Sequence, residues 1–362
     1  VPSNVRVKEW IHLTGEDFTT GFSSYEINGH QGLLVSEGAE VDVTMPVLRM
    51  AEGALQATTY EDALEQWLPP LFLEAPLEQE LHQRAGASLT LKAARRDSPA
   101  GSAQAQSLIV GKGAEVTVDP GQTLALVGSR QITVDGTLRA PGGQIHILNP
   151  MAGGLLDAAN SMWIGENAVL DTAGRAYVVS DMNGQRYGEV LSGGQVVLGS
   201  LRPDEVTDSN LYPVNNLMVI VREGAVIDIS GASADLNLGR SKATPVASDG
   251  GSLEIRSKAG IAFDGTLRAL GGGATASGGS LTVMLETMSL GGGIAPDPRY
   301  AVPRSIPLPQ THGGDLPADL QPGQDDEGLP FGAARFAVDD LVATGLDHLS
   351  LWSRDALLFE GD

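Results

Sequence analysis

The sequence predicts an all-β fold, a right-handed parallel β-helix that grows as a solenoid along one axis, and three observations predict it. The string Gly-Gly-(Gln/Ser)-apolar-x-apolar occurs four times, at 142–147, 193–198, 250–255 and 278–283. A second string, Gly/Asn-Ala-x-apolar-Asp/Thr, occurs at 38–42, 113–117, 167–171 and 224–228. From residue 113 onward the two alternate. Starts fall at 113, 167 and 224 for one and at 142, 193 and 250 for the other, so each series steps by 51 to 57 residues. Self-similarity at such a period is the mark of a stacked, quasi-one-dimensional architecture. Third, Asp135-Gly136-Thr137-Leu138-Arg139-Ala140-Pro141-Gly142-Gly143 is nearly duplicated at 264–272. Taking about 20 residues per coil, a step of 51 to 57 residues is expected to hold two to three coils.

The elements follow in order. Short runs with aliphatic residues at alternate positions lie at 33–35, 40–43, 108–110, 116–118, 132–134, 145–148, 226–229, 253–255 and 281–283. Gly, Asn, Asp or Ser bounds each run, the residues that tolerate turns. Their close spacing leaves no room for crossover helices, which excludes an α/β fold. Inward Val, Ile, Leu and Ala are expected to form ladders, with glycine at corners where φ is positive or backbones crowd. A β-propeller repeats at a similar length, but aromatics make up only 5% of the chain and leave no blade signature.

Two stretches leave the rhythm. Residues 51–100 are expected to form a partly helical insertion. A capped helix is predicted at 58–67, stopped by Pro69-Pro70, and a second one at 77–84. The other stretch, 296–330, carries eight prolines and is expected to be a loop lying over the solenoid without regular strand or helix. Strands resume at 336–341 and 349–352, and 355–362 ends on a strand and turn. The whole is read as one segment, 1–362, of a larger protein, since it opens at Val1 without a leader and ends without a cap.

Composition bounds the function. A formal net charge of −22 repels phosphate backbones and disfavours anionic membranes, so neither nucleic acid nor membrane insertion is expected, and a monomer is. The chain has no cysteine, which suits export as an unfolded chain.

Ile227-Asp228-Ile229-Ser230-Gly231-Ala232-Ser233-Ala234-Asp235-Leu236, with the Gly-Gly-Ser-Leu-Glu-Ile strand and the Asp-Gly-Thr-Leu-Arg-Ala turn, resembles the filamentous-haemagglutinin-like exoproteins. So do the segments 25–33 and 349–357. The resemblance covers most of the chain outside the two excursions. It implies a large secreted or cell-surface protein of Gram-negative bacteria, exported by two-partner secretion through an outer-membrane transporter. Such proteins act in cell adhesion, in biofilm matrices and virulence, or as delivery stalks of contact-dependent toxins. The family's secretion domain carries Asn-Pro-Asn motifs. Asn149-Pro150-Met151 departs from them at the third position, which places this segment in the body of such a protein.

Chemistry is weakly signalled. His12, His30, His82, His146, His312 and His348 are isolated in sequence, so no metal site is expected, and His146 is expected to face outward. Asp325-Asp326-Glu327 and Asp339-Asp340 lack calcium-loop spacing and read as solvated acids. Polysaccharide-cleaving enzymes also use β-helices, and Asp135 with Arg139 and Asp264 with Arg268 fit a uronate site superficially. Their duplication marks a turn that recurs with the coil. No catalytic residue and no cofactor are expected, and no ligand-binding residue is singled out. Trp67 and Tyr60 either pin the first excursion or present a recognition patch. The expected role is a structural and adhesive stalk whose partner is a carbohydrate or cell-surface receptor.

Overall fold

The computed structural model describes residues 11–30, 32–56, 58–59, 63–93, 107–149, 161–199, 217–239, 242–286, 302–311 and 316–360. These are nearly all β, and the chain visits three long parallel sheets in a fixed order. The first circuit is β1 (Ser24–Asn28), β2 (Gly32–Val35) and β3 (Glu40–Val43). Two hairpins follow, β4 (Val47–Met50) with β5 (Leu64–Trp67) and β6 (Phe72–Ala75) with β7 (Glu80–Gln83). The second circuit is β8 (Ser88–Ala93), β9 (Ser107–Val110) and β10 (Glu115–Val118), and the third is β11 (Thr123–Gly128), β12 (Ile132–Val134) and β13 (Thr137–Arg139). The fourth, β14 (Gln144–Leu148), β15 (Ser161–Ile164) and β16 (Val169–Asp171), is followed by the hairpin of β17 (Ala176–Ser180) and β18 (Arg186–Val190). The fifth, β19 (Gln195–Gly199), β20 (Met218–Val221) and β21 (Val226–Asp228), is followed by the hairpin of β22 (Ser233–Leu236) and β23 (Thr244–Ala247). The sixth is β24 (Ser252–Ser257), β25 (Ile261–Phe263) and β26 (Thr266–Arg268). Last come β27 (Ser280–Leu285), β28 (Ser305–Pro309), β29 (Ala334–Arg335), a helix (Val338–Ala343), β30 (His348–Ser353) and β31 (Ala356–Glu360).

The register explains both sequence strings. Leu89, Leu124, Ile145, Val196, Leu253 and Leu281 stack in the first sheet. Leu108, Ile132, Met162, Val219 and Ile261 stack in the second, and Val116, Leu138, Leu170, Ile227 and Leu267 in the third. All of these are buried in one core shared by the three sheets. The Gly-Gly strings open the first-sheet strands β14, β19, β24 and β27. The second string opens the third-sheet strands β3, β10, β16 and β21 after a β-turn that closes on its alanine: Ala39, Ala114, Ala168 and Ala225 donate to the carbonyls of Ser36, Gly111, Gly165 and Arg222 at 3.0–3.1 Å. Gly38, Gly113 and Gly224 take positive φ at the third turn position, where a side chain would be strained.

The structure corrects the period. Gln144, Gln195 and Ser252 are direct neighbours in register, so the steps of 51 and 57 residues are one circuit each, not two or three. The bare circuit, from Thr123 to its partner Gln144, takes 21 residues. Excursions at the corners supply the rest.

The first excursion is hairpins where helices were predicted. From Leu64 the 58–67 stretch is strand, held to β4 by the Arg49–Glu65 ion pair at 2.6 Å and by Arg49 over the Trp67 ring at 5.0 Å; 60–62 lie outside the described residues. The 77–84 stretch is a turn, with Glu78 donating to the Ala75 carbonyl and Gln79 at φ 57, followed by β7. Segments this short cannot hold a helix alone, and cross-strand pairing decides their conformation. Residues 88–93, placed by sequence inside the insertion, belong to the first sheet. Within 296–330, Ser305–Pro309 is a strand, contrary to expectation. Among the described residues it forms a two-stranded sheet with β31, with one further bridge from Ser305 to Ala333, so the ring nitrogens of Pro307 and Pro309 are tolerated as they are at a sheet edge. The 336–341 stretch is not a strand. It enters the helix 338–343, which stands where the third sheet would continue and packs Val338 and Leu341 against the core. The Thr344 carbonyl accepts from Ala269 beyond β26, which ties this segment to the last strand of that sheet. The 349–352 strand is present as part of β30.

Candidate functional site

Asp135, Arg139 and Arg268 of the duplicated pairs make contacts between circuits. Asp135 Oδ1 accepts from the Asn167 backbone and side chain at 3.2 Å. Arg139 pairs with Glu115 and with Asp171, and Asp171 also binds Arg175 and the Ala173 N–H at 3.1 Å. Arg268 lies 3.9 Å from Asp228 in the same row of the third sheet. Asp228 repeats the turn contact of Asp171, accepting from Ser230 at 3.0 Å.

His12, His30, His82 and His348 are exposed; His146 lies half-buried on the outer face of the first sheet, and His312 is outside the described residues. Sequence reading missed one juxtaposition. In the β6–β7 hairpin, Glu78 of the turn and Glu80 and His82 of β7 bring one ligand atom each within 4.8 Å of one another, all exposed. Asp326 closes a turn onto the Gly328 N–H at 2.8 Å, and Asp339, in the first turn of the short helix, accepts from Gln310 at 2.5 Å. These acids serve local structure.

The excursions gather at two places. Among the described residues, the four hairpins leave the corner between the third and first sheets, and β18 neighbours both β7 and β22. Arg84 fastens the first excursion: its guanidinium donates to both Asp119 oxygens at 2.7 and 2.9 Å and to the Pro69 carbonyl at 2.8 Å. Phe72 packs on Tyr177 at 4.3 Å between ring centres. Trp67 is partly buried against Arg49, and Tyr60 lies outside the described residues, so the pinning role is shown for Trp67 only within its own hairpin. The Pro-rich segment lies on the outer face of the second sheet. Leu316, Leu320 and Leu329 bury Trp163, Met218, Ile220 and Ala262. Arg222, 5.3 Å over the Trp163 ring, donates to the Pro317 carbonyl at 3.1 Å.

Burial pushes the Tyr177 hydroxyl above the ordinary tyrosine pKa; Asp119 and Glu189 add to the rise and Arg175 opposes it. A raised folded value means that the folded state keeps its proton longer than the unfolded one. This stabilisation is full below about pH 10 and is lost as pH climbs through the folded value. Buried Lys258, whose pKa burial lowers, acts with the opposite sign over the alkaline range. Tyr177→Phe therefore flattens the alkaline fall of the thermal midpoint relative to the unsubstituted chain. Identical pH profiles for the two would refute the assignment.

A groove of about 380 Å³ on the first sheet joins three circuits and is lined by Lys258, Met284, Leu285, Glu286, Trp352, Ser353 and Arg354. Arg256, Met284 and Trp352 are register neighbours on β24, β27 and β30, and Lys258, Glu286 and Arg354 each lie two residues further on. Trp352 is 63% exposed and its indole N–H donates to Ser350 Oγ at 3.2 Å. Lys258 is 7% exposed and forms the floor; Glu286 and Arg354 are exposed. Sequence reading could not find this groove, because its residues come from three circuits. Among the described residues no helix is long and apolar enough to cross a membrane. Comparisons with protein-family profiles, curated proteins and solved structures found no match for the chain.

Proposed function

We propose that the three-sheet circuits are the coils of a right-handed parallel β-helix, and that the chain is a structural and adhesive segment of a large secreted or cell-surface bacterial exoprotein. The observation that carries this reading is the repeated circuit through three parallel sheets, with surface-displayed excursions at its corners. The right hand follows from the strong preference of parallel crossovers. Seven steps between eight stacked first-sheet strands give a rise of about 34 Å at the usual strand spacing. A fold that extends by stacking and carries its insertions outward suits a spacer that presents contact surfaces to other cells, matrix or carbohydrate. The resemblance in sequence supports the setting: export by a two-partner outer-membrane transporter, and action without catalysis. The toxin-delivery reading shares this scaffold and has no structural observation of its own.

Attachment of particles coated with the purified chain to bacterial and epithelial cells is the test. Saturable attachment that free chain competes away is expected. No attachment to any surface, or turnover of a glycan abolished by a single Asp or Arg substitution, would sink the adhesive reading.

A further inference from the structure

The groove on the first sheet has a composition unlike the chain as a whole. The chain carries a net charge of −22, yet two of the three charged side chains lining this groove, Lys258 and Arg354, are cations. They flank Glu286 in a row, each one residue past the end of its strand. There the Glu286 N–H donates to the Ser257 carbonyl at 3.0 Å and the Arg354 N–H to the Leu285 carbonyl at 3.2 Å, and so carry the register one step on. A second row, Arg256, Met284 and Trp352, runs beside it. A thioether and an exposed indole thus adjoin a charged row, and the indole is oriented by its bond to Ser350.

Each part has a chemical preference. An exposed, oriented indole next to Met284 offers a flat apolar platform, and sugar rings present flat C–H faces. The planar fork of Arg354 matches a carboxylate. Glu286 accepts from hydroxyls and discourages anions that lack them. The volume, about 380 Å³, lies at the small end of ligand sites. Lys258 sits on the floor where burial disfavours its charge and Glu286 favours it, and a ligand anion there would favour it further.

We propose that this groove binds a carboxylate-bearing pyranose of a glycan, with its ring on Trp352 and Met284, its carboxylate on Arg354 and Lys258, and its hydroxyls on Glu286. The proposal deepens the adhesive reading and rests on it for its biological setting. The same chemistry occurs in terminal acidic sugars of cell-surface glycans and in uronate polymers of a matrix, and the probes separate these sources.

The full chain is titrated with sialyllactose, with trigalacturonate and with neutral lactose, following tryptophan fluorescence and calorimetry. At least one carboxylated probe is expected to bind, and lactose at least about tenfold more weakly. Sialyllactose alone points to a cell-surface glycan, and trigalacturonate alone to a matrix. Trp352→Ala and Arg354→Gln should each weaken binding at least about tenfold, and Trp352→Phe should retain part of it. Both side chains are exposed, so the thermal midpoint should stay unchanged. Failure of both carboxylated probes overturns the proposal, as does binding indifferent to Trp352→Ala or equal for lactose. Cell attachment is measured on the same preparations. Attachment without sugar binding removes this groove and leaves the adhesive reading. Sugar binding without attachment keeps the groove and removes the adhesive reading.

Discussion

Gly251→Ala is expected to lower the stability of the chain by at least about 3 kcal/mol. The second glycines of the Gly-Gly strings form a ladder of their own. A Cβ at Gly251 would lie 1.8 Å from the Gly194 carbonyl oxygen, and one at Gly194 would lie 2.0 Å from that of Gly143. The obstacle is backbone, which cannot rotate away. The same carbonyl of Gly194 accepts the Ser252 N–H at 2.9 Å, so a displaced carbonyl also loses a bond between circuits. Neither Gly194 nor Gly251 has positive φ, so crowding alone requires glycine there. Gly239→Ala is the control. Its φ is +72 but no atom lies within 4 Å of its Cβ, so backbone strain of about 1 kcal/mol is the expected cost. Denaturant midpoints followed by circular dichroism compare the two. Equal losses at 239 and 251 would dismiss the ladder as the reason for the repeat.

Arg304→Ala is expected to loosen the Pro-rich segment and to cost about 3 kcal/mol. Arg304 is only 1% exposed. Its Nε donates to the Glu286 carbonyl at 3.1 Å and an Nη to the Val302 carbonyl at 2.7 Å. Its backbone N–H reaches Asp355 at 2.6 Å, and its carbonyl accepts from Ser353 at 2.7 Å and from Ala356 at 3.0 Å. One residue therefore ties the segment before β28 to the end of β27 and to the β30–β31 turn. Truncation leaves the Glu286 and Val302 carbonyls without this donor and a void the size of the side chain. Hydrogen exchange should quicken in β28 and β31 while β11 and β14 keep their protection. Uniform quickening through all three sheets would show instead that Arg304 supports the whole core. Arg304→Met, which keeps volume without donors, should lie between the two.

The sequence shows the repeat clearly, because the residues that stack are the residues that recur. Gln144, Gln195, Ser252 and Ser280 stand one above another in the structure and in the aligned strings. It misleads on the period because excursions, and not extra coils, separate the copies. The circuit that shows the true length, 123–144, opens on Gly121-Gln122 and lacks the second glycine. Short amphipathic stretches such as 77–84 read equally well as helix or hairpin, and only pairing partners distant in sequence choose. The Lys258, Glu286 and Arg354 row is illegible for the same reason. Nothing local links a lysine after β24 to an arginine after β30; the register does.

The corners of the circuit differ in how much chain they admit. From second to third sheet the connection is always four residues, as at 36–39, 111–114, 165–168 and 222–225, or two, as at 135–136 and 264–265. An even count preserves which side chains point inward on the next strand. From third to first sheet it ranges from four residues at 119–122 to forty-four at 44–87, and from first to second sheet it varies as widely. The molecule thus has one stiff spine and two open seams. Foreign segments grafted at a seam should be carried without loss of register, while a single residue added to the spine would shift the third-sheet strand after it by one and turn that strand's inward side chains outward.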